Sequence, residues 1–468
     1  MNRDVCAEFL RFTGFEESEI PGFLPDFIEA CRALNLSEAD VRFSVETWIP
    51  SQFDTELEGV RRGLGCIVRE AVDLTRTPRY KKQGVKLVYG ILPAMSVYYY
   101  ALKRTAPDRV YVAFPDLFLV AFLQMFFHRL NPTLEIAEAA GMSYGCRHCA
   151  LNKARFTARR LGIIPSPDIS WIWGFVCDEG PKTDEFIQEC FDSDWRNYST
   201  RLPHDQPLGT QEDEVDERVE YLALQMRDGF EQVQRVVGIS VPEEKIAEAF
   251  EIRQRFVEKM GELRDLLTVD PPPLGGVEAF ILGMPRDMPF NTGLEPMAEA
   301  LEQTLKDVRG RVAAGRGVLP RQAPVLMYEI IPYCQPWLVK MFMENGVGVM
   351  PGGPTQKQLQ PPRFEDPYMV AAEAWLKGSV TVNAGYKADQ ICERLLRYKF
   401  DGLLLGFLDF DRWLGSDNRL IARMVEERTG LPVFYVEGDF WEDRDYSPES
   451  LRTRVESICE ILKMRKAG

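Results

Sequence analysis

Histidine is scarce in this chain, with three in 468 residues, and positive charge is in deficit. Lysine and arginine number 56 against 71 aspartates and glutamates, a formal charge of −15. A surface that tracks phosphates works by clustering cations and releasing counterions, so nucleic acid is not an expected partner. Long apolar runs are missing too. The longest, "LFLVAFLQMFF" (Leu117 to Phe127), falls well short of the roughly 20 residues a membrane-spanning helix needs, and "MNRDVCAEFL" lacks the apolar core of a signal peptide. The expectation is a cytoplasmic protein with no membrane association. No Gly-x-Gly-x-x-Gly follows a strand, and no Walker A sequence occurs, which argues against the standard nucleotide loops. No period of 20 to 50 residues recurs, so a solenoid is not expected.

What is present is an ordinary globular composition, 45% hydrophobic and 27% charged, in a chain long enough for two or three packed domains. Residues 1–83 read as mostly helical. In 84–208, short β-rich runs at "GVKLVYGILPA", "DRVYVAFPD" and "PDISWIWGFVCD" alternate with helical stretches such as "ALNKARFTARRLG", whose cationic end and closing Gly162 suit a helix C-terminus. Apolar residues recur at helical spacing through 209–320, and β-rich runs vanish there. Alternation returns in 321–468 with "APVLMYEII", "VGVM", "FDGLLLGFLDF" and "LPVFYVEGD". The pattern predicts an α/β protein: two parallel-sheet domains with covering helices and additional helical segments.

Ten cysteines do not make a disulfide scaffold, and without an export signal they should stay reduced. Cys6, Cys31, Cys66, Cys392 and Cys459 fall in helical patterns and read as buried thiols. Cys146 and Cys149 form a Cys-x-x-Cys, the shortest common spacing that points two soft thiolates at one metal. The same motif at a helix start also makes redox pairs, because the helix dipole lowers a thiol pKa. Cys177 ends the run "ISWIWGFVCD" after the helix that Cys149 opens. In an open parallel sheet such a strand end and a neighbouring helix start share one edge, so three thiols can converge there. A zinc ribbon would need a second Cys-x-x-Cys, and the chain has none. His148 is a further possible ligand, whereas His128 and His204 have no partner within reach of sequence argument. Asp178, Glu179, Glu329, Asp409 and Glu437 are carboxylates near the expected sheet edges, each read first as a cap, turn or surface group. "PGGP" (Pro351 to Pro354) reads as a turn, or as backbone that could approach a phosphate of coenzyme A.

Two stretches carry a resemblance. "CALNKARFTARRLGIIPSPDISWIWGFVCDEGPKTDEF" (Cys149 to Phe186) places a cysteine at a helix start, a Pro-x-Pro-Asp turn, a strand and a second cysteine. "DGLLLGFLDFDRWLGSDNRLIARMVEERTGLPVFYVEGD" and the closing "LRTRVESICE" keep the same order of late features. The chain thereby resembles the iron-sulfur subunits of 2-hydroxyacyl-CoA dehydratases and benzoyl-CoA reductases, over roughly residues 84 to 468. The resemblance implies two Rossmann-like domains and three cysteines holding a [4Fe-4S] cluster between them. It also implies a homologous second subunit or a homodimer, an ATP-dependent iron-sulfur activator and an acyl-CoA substrate. One low-potential electron on the thioester carbonyl would give a ketyl radical anion that expels a β-hydroxyl or, in the aromatic case, would reduce the ring. Cys149 and Cys177 match the first two cluster cysteines. The third would fall about ten residues after Asp401-Gly402, where this chain has Asp411, a harder ligand than thiolate. Asp411, Cys146 or Cys334 could complete the set, or the cluster is lost. A related double-cubane [8Fe-9S] reductase is the alternative that the same scaffold implies.

Overall fold

The computed structural model describes residues 1–90, 96–142, 148–173, 179–201, 216–329, 335–378, 384–407, 412–439, 441–444 and 447–467. They form the expected α/β protein, with two four-stranded parallel sheets. The chain makes two compact units. The first comprises Met1–Thr200, Arg227–Val257 and Ile281–Thr304, and the second Arg201–Met226, Glu258–Phe280 and Leu305–Gly468. Among the described residues no helix is long and apolar enough to cross a membrane.

In the first unit, helices including Arg3–Phe12, Ile20–Ala33 and Glu58–Thr75 precede β1 (Lys86–Tyr89), β2 (Val110–Ala113), β3 (Ile169–Trp173) and β4 (Asn197–Thr200), which lie in the order β2-β1-β3-β4. In the second, β5 (Val325–Glu329), β6 (Gly348–Pro351), β7 (Gly402–Phe407) and β8 (Val433–Glu437) lie in the order β6-β5-β7-β8. Strands β2, β5 and β6 are buried along their whole length, and β1 is buried but for its first residue. Helices on both faces account for their unbroken apolar runs. β4, "NYST", is half-buried and has no such run, so the sequence does not mark it.

The two sheets are locked by the same device. Asp168, just before β3, accepts from the Leu87 backbone N–H at 2.9 Å and from Lys86 Nζ at 2.8 Å. Asp401, just before β7, accepts from the Val325 N–H at 2.8 Å and from Lys466 Nζ at 2.8 Å. Each carboxylate satisfies an orphan donor at the start of its unit's first strand and fixes the register of the third.

In both sheets the first strand lies between the second and third, so the winding direction reverses between first and third. The crevice for a ligand in such folds opens there, at the strands' C-terminal ends. In the first unit this point is tight. Gly90, after β1, has φ +111°, and a Cβ on it would lie 2.3 Å from the Trp171 carbonyl oxygen of β3. Gly90→Ala is expected to destabilise the protein by about 2–4 kcal/mol, because it combines backbone strain with a backbone overlap. Chemical denaturation measures this.

Behind the sheet, Glu70 of Glu58–Thr75 is fully buried and accepts from the Asn291 N–H at 2.7 Å, the Thr292 N–H at 3.0 Å and Thr292 Oγ1 at 2.6 Å. Burial pushes its carboxyl up to about 7, even though the Thr292 and Asn291 donors pull the other way. Glu70→Ala strands three donors and is expected to cost about 2–4 kcal/mol, read as a lowered unfolding midpoint at unchanged denaturant slope.

Candidate functional site

The helix after the Cys-x-x-Cys runs Ala150–Arg160, with Cys149 as its N-cap at φ −66° and ψ 161°. Its C-terminus matches the sequence expectation. Arg159 and Arg160 occupy the last turn, and Gly162 takes φ +72°, which lets the Ile163 N–H reach the Ala158 carbonyl at 2.9 Å. At the other end, the Cys149 carbonyl accepts the first helical bond from Lys153 N–H at 3.1 Å, and Cys149 is buried. No acidic residue stands in the first turn. Cys149 thus sets a sulfur, the donor type a soft metal takes, in a buried position at a helix N-terminus.

Helix Glu179–Cys190 opens two residues after Cys177. His148, just before Cys149, places Nδ1 3.3 Å from Glu179 Oε2 and 3.5 Å from Thr183 Oγ1. Residues flanking the two predicted cluster cysteines are therefore in direct contact. Burial alone would raise the Glu179 carboxyl, but hydrogen bonds from His148 and Lys182 more than offset it and hold it below its usual range.

A second tie lies under these two helices, and the sequence reading missed it. Arg155, 2% exposed, donates Nη2 to the Gly180 carbonyl at 3.1 Å and to Asn152 Oδ1 at 3.2 Å. Its Nη1 lies 3.1 Å from Asp116 Oδ2, and Nε lies 3.7 Å from Asp184 Oδ1. Asp184 also accepts from Trp195 Nε1 at 2.7 Å and Ser170 Oγ at 3.2 Å. One guanidinium thus joins the first turn after β2, the Cys149 helix and the helix after Cys177. Burial pushes the Asp116 carboxyl up to about 7; Arg155 opposes this and Asp184 adds to it. Asp184 is raised by burial as well.

Of the predicted ligands, Cys149 is described. Cys146, Cys177, Cys334 and Asp411 lie outside the described residues, as do Asp178, Asp409 and His204. In chain order, Cys177 comes four residues after β3, Cys334 five after β5 and Asp411 four after β7. Those are the switch-point strands of the two sheets. Among the described residues, no three His, Cys, Asp or Glu side chains are grouped to hold a metal ion. Cys149 itself fits a soft-metal cluster by its burial and its helix position.

The other candidates lie away from Cys149 in sequence, and most have structural partners. Glu329 ends β5 in a buried ion pair with Arg394. Glu437 is exposed at the end of β8. His128 stacks on Trp48, with ring centroids 4.4 Å apart. In "PGGP", a Cβ on Gly353 would overlap the Tyr398 ring and one on Gly352 would meet Met327 and Arg394. Tyr398 Oη donates to the Pro354 carbonyl at 3.1 Å. Packing against Tyr398, Met327 and Arg394 leaves no room for a side chain at either glycine.

The family model described as "2-hydroxyglutaryl-CoA dehydratase, D-component" matches residues 106–462, most of the chain. The chain belongs to this D-component family. Relatives of the same family character are similar at low identity. The alpha subunit of (R)-phenyllactyl-CoA dehydratase from Clostridium sporogenes is 22% identical over 349 residues, covering 71% of this chain and 80% of the relative. The alpha subunit of lactoyl-CoA dehydratase from Anaerotignum propionicum is 20% identical over 253 residues, 53% of this chain; the match spans 59% of that relative's length. A benzoyl-CoA reductase subunit from Thauera aromatica is 24% identical over 103 residues, 22% of this chain and 24% of the relative. The D-component match bears out the resemblance read from "CALNKARF…" and "DGLLLGF…", and these relatives are by name subunits of dehydratase and reductase enzymes.

Proposed function

We propose that this D-component relative is the iron-sulfur subunit of a 2-hydroxyacyl-CoA dehydratase or a benzoyl-CoA-reductase-like enzyme, acting in the cytoplasm. The observation that carries the proposal is the buried Cys149 at a helix N-terminus, tied through His148 and Glu179 to the chain just after Cys177. Cys149 and Cys177 would hold the cluster, with Cys146, Cys334 or Asp411 in the third position. Held by these residues, a [4Fe-4S] cluster would supply one low-potential electron to a CoA thioester.

The chain's own part is to hold and shield. Cys149 would offer its sulfur from the N-terminus of a helix. His148 and Glu179 fix the entry of that helix against its neighbour. Apolar side chains of the first turns keep water out: Ala150 and Ala154 are fully buried, and Phe156 nearly so. On this reading the chain works with a homologous second subunit, receives electrons from an ATP-dependent iron-sulfur activator and accepts an acyl-CoA.

Asp411, at the position where a third cysteine is expected, favours a second reading: an altered, cluster-poor partner subunit. Iron and acid-labile sulfide after anaerobic reconstitution separate the possibilities. About four irons per subunit, each set in its own cluster, supports the [4Fe-4S] subunit; roughly eight per complex held in one cluster supports the double-cubane alternative; none supports the cluster-poor partner.

A further inference from the structure

We propose that His148 is a ligand of the iron-sulfur cluster through Nε2, beside Cys149, with the Glu179 carboxylate holding the ring by Nδ1. The proposal rests on the reading that Cys149 binds a cluster. It goes further by adding a nitrogen donor, with its own carboxylate partner, to the sulfur ligands of that reading.

The ring is held by one of its two nitrogens. His148 Nδ1 lies 3.3 Å from Glu179 Oε2 and 3.5 Å from Thr183 Oγ1. Glu179 stands in the first turn of the helix Glu179–Cys190, buried, and its Oε1 accepts from Lys182 Nζ at 2.8 Å. Among the described residues, the buried Oε2 has no other hydrogen-bond partner. Although burial works against it, hydrogen bonds from His148 and Lys182 keep this carboxyl below its ordinary range, so it stands as a carboxylate. A carboxylate only accepts, which puts a His148 proton on Nδ1 and, in a neutral ring, leaves the lone pair on Nε2. Among the described residues no hydrogen bond or ion pair takes Nε2.

This is the arrangement by which proteins present imidazole to a metal. One ring nitrogen donates to a carboxylate, which fixes the tautomer and makes the other nitrogen a better donor. A brace between the two segments alone would be served equally by a lysine; the imidazole adds a second nitrogen with a lone pair. His148 immediately precedes Cys149, the N-cap, and consecutive Cα atoms are about 3.8 Å apart, so a nitrogen and a sulfur donor stand at one helix entry. Imidazole also suits iron better than the carboxylate that Asp411 would offer. A neutral imidazole in place of a thiolate raises the potential of a cluster, and the Glu179 carboxylate on Nδ1 offsets part of that rise by making the ring more basic.

The test uses wild type and full-length protein carrying His128→Ala and His204→Ala, a parent that keeps His148 as its one histidine. Both are reconstituted anaerobically with iron and sulfide, reduced with dithionite and read by pulsed electron paramagnetic resonance, with and without a heavy nitrogen isotope in histidine. Circular dichroism reports whether each protein is folded. Expected in the parent is a strong coupling of one nitrogen to the cluster that changes to the pattern of the heavy isotope on labelling. In the same background His148→Cys, which puts a thiolate at that place, is expected to keep its iron and lose the coupling. Glu179→Gln is expected to lose iron to a chelator at least about tenfold faster than the parent.

A cluster whose signal carries no strong nitrogen coupling, or only couplings that labelling of histidine leaves unchanged, overturns the proposal and leaves the Cys149 cluster standing. Absence of iron and sulfide from wild type removes the cluster and the proposal together, so the two failures are told apart. Iron loss from Glu179→Gln at the rate of the parent overturns the part given to Glu179.

Discussion

Cys149→Ala is expected to lose the iron-sulfur cluster, with iron and sulfide after anaerobic reconstitution falling at least about tenfold below wild type, since even groups behind a metal ligand change affinity 10–100-fold. The fold should survive. Cys149 is a buried N-cap whose side chain makes no cap hydrogen bond, and the helix retains its C-terminal glycine and its Arg155 anchor. A small buried side chain replaced by alanine costs about 1 kcal/mol in packing. Far-ultraviolet circular dichroism should therefore be unchanged while the iron is lost. A variant that keeps wild-type iron contradicts the assignment of this residue as a ligand.

Arg155→Ala is expected to be the most destabilising single change in the first unit, by about 3–5 kcal/mol, because it leaves Asp116 and Asp184 buried without their cation. Asp116→Asn should behave oppositely. It leaves Arg155 and Asp184 as a balanced pair and removes a carboxyl that burial has pushed up to about 7. Between about pH 4 and about pH 7 the folded state holds this proton while the unfolded chain has released it. The contribution of Asp116 to stability is thus fully present below about pH 4 and lost as pH rises through about 7. Asp116→Asn should flatten the fall in stability across that window and be at least as stable as wild type at pH 8. Glu70, raised to about 7 in the same direction, leaves a residual slope. Urea denaturation of wild type and both variants from pH 4 to pH 8 measures all of this.

The sheets were legible in the sequence because parallel strands covered on both faces are continuous apolar runs: "KLVY", "VLMYE" and "GLLLGF" stand out from helical spacing on either side. β4 was not, since an edge strand reading "NYST" has no apolar signal. Cys149 was legible from its spacing to Cys146 and from the helix that follows it. Arg155 was not. In "ALNKARFTARR" the buried positions include Asn152, Lys153, Arg155 and Thr157, so polar residues point inward and the usual rule that charge marks the solvent face fails. Its partners Asp116 and Asp184 are 39 residues before it and 29 after it. Buried ion pairs of that kind depend on tertiary contact, which no local pattern records. The "FPD" that places Asp116 directly after a strand end was the one available hint. His148 is read from the sequence as a possible ligand, and in the structure its Nδ1 lies 3.3 Å from Glu179 Oε2.

The most direct measurement is electron paramagnetic resonance, with iron and sulfide analysis, on anaerobically reconstituted and reduced wild type alongside Cys149→Ala and Cys146→Ala. Expected is a paramagnetic cluster signal in wild type, with about four irons per subunit, that is absent in Cys149→Ala. Its fate in Cys146→Ala decides whether Cys146 fills the third position. Wild-type protein that takes up no iron and sulfide, or a signal of full intensity in Cys149→Ala, would contradict the assignment of Cys149 to an electron-supplying cluster.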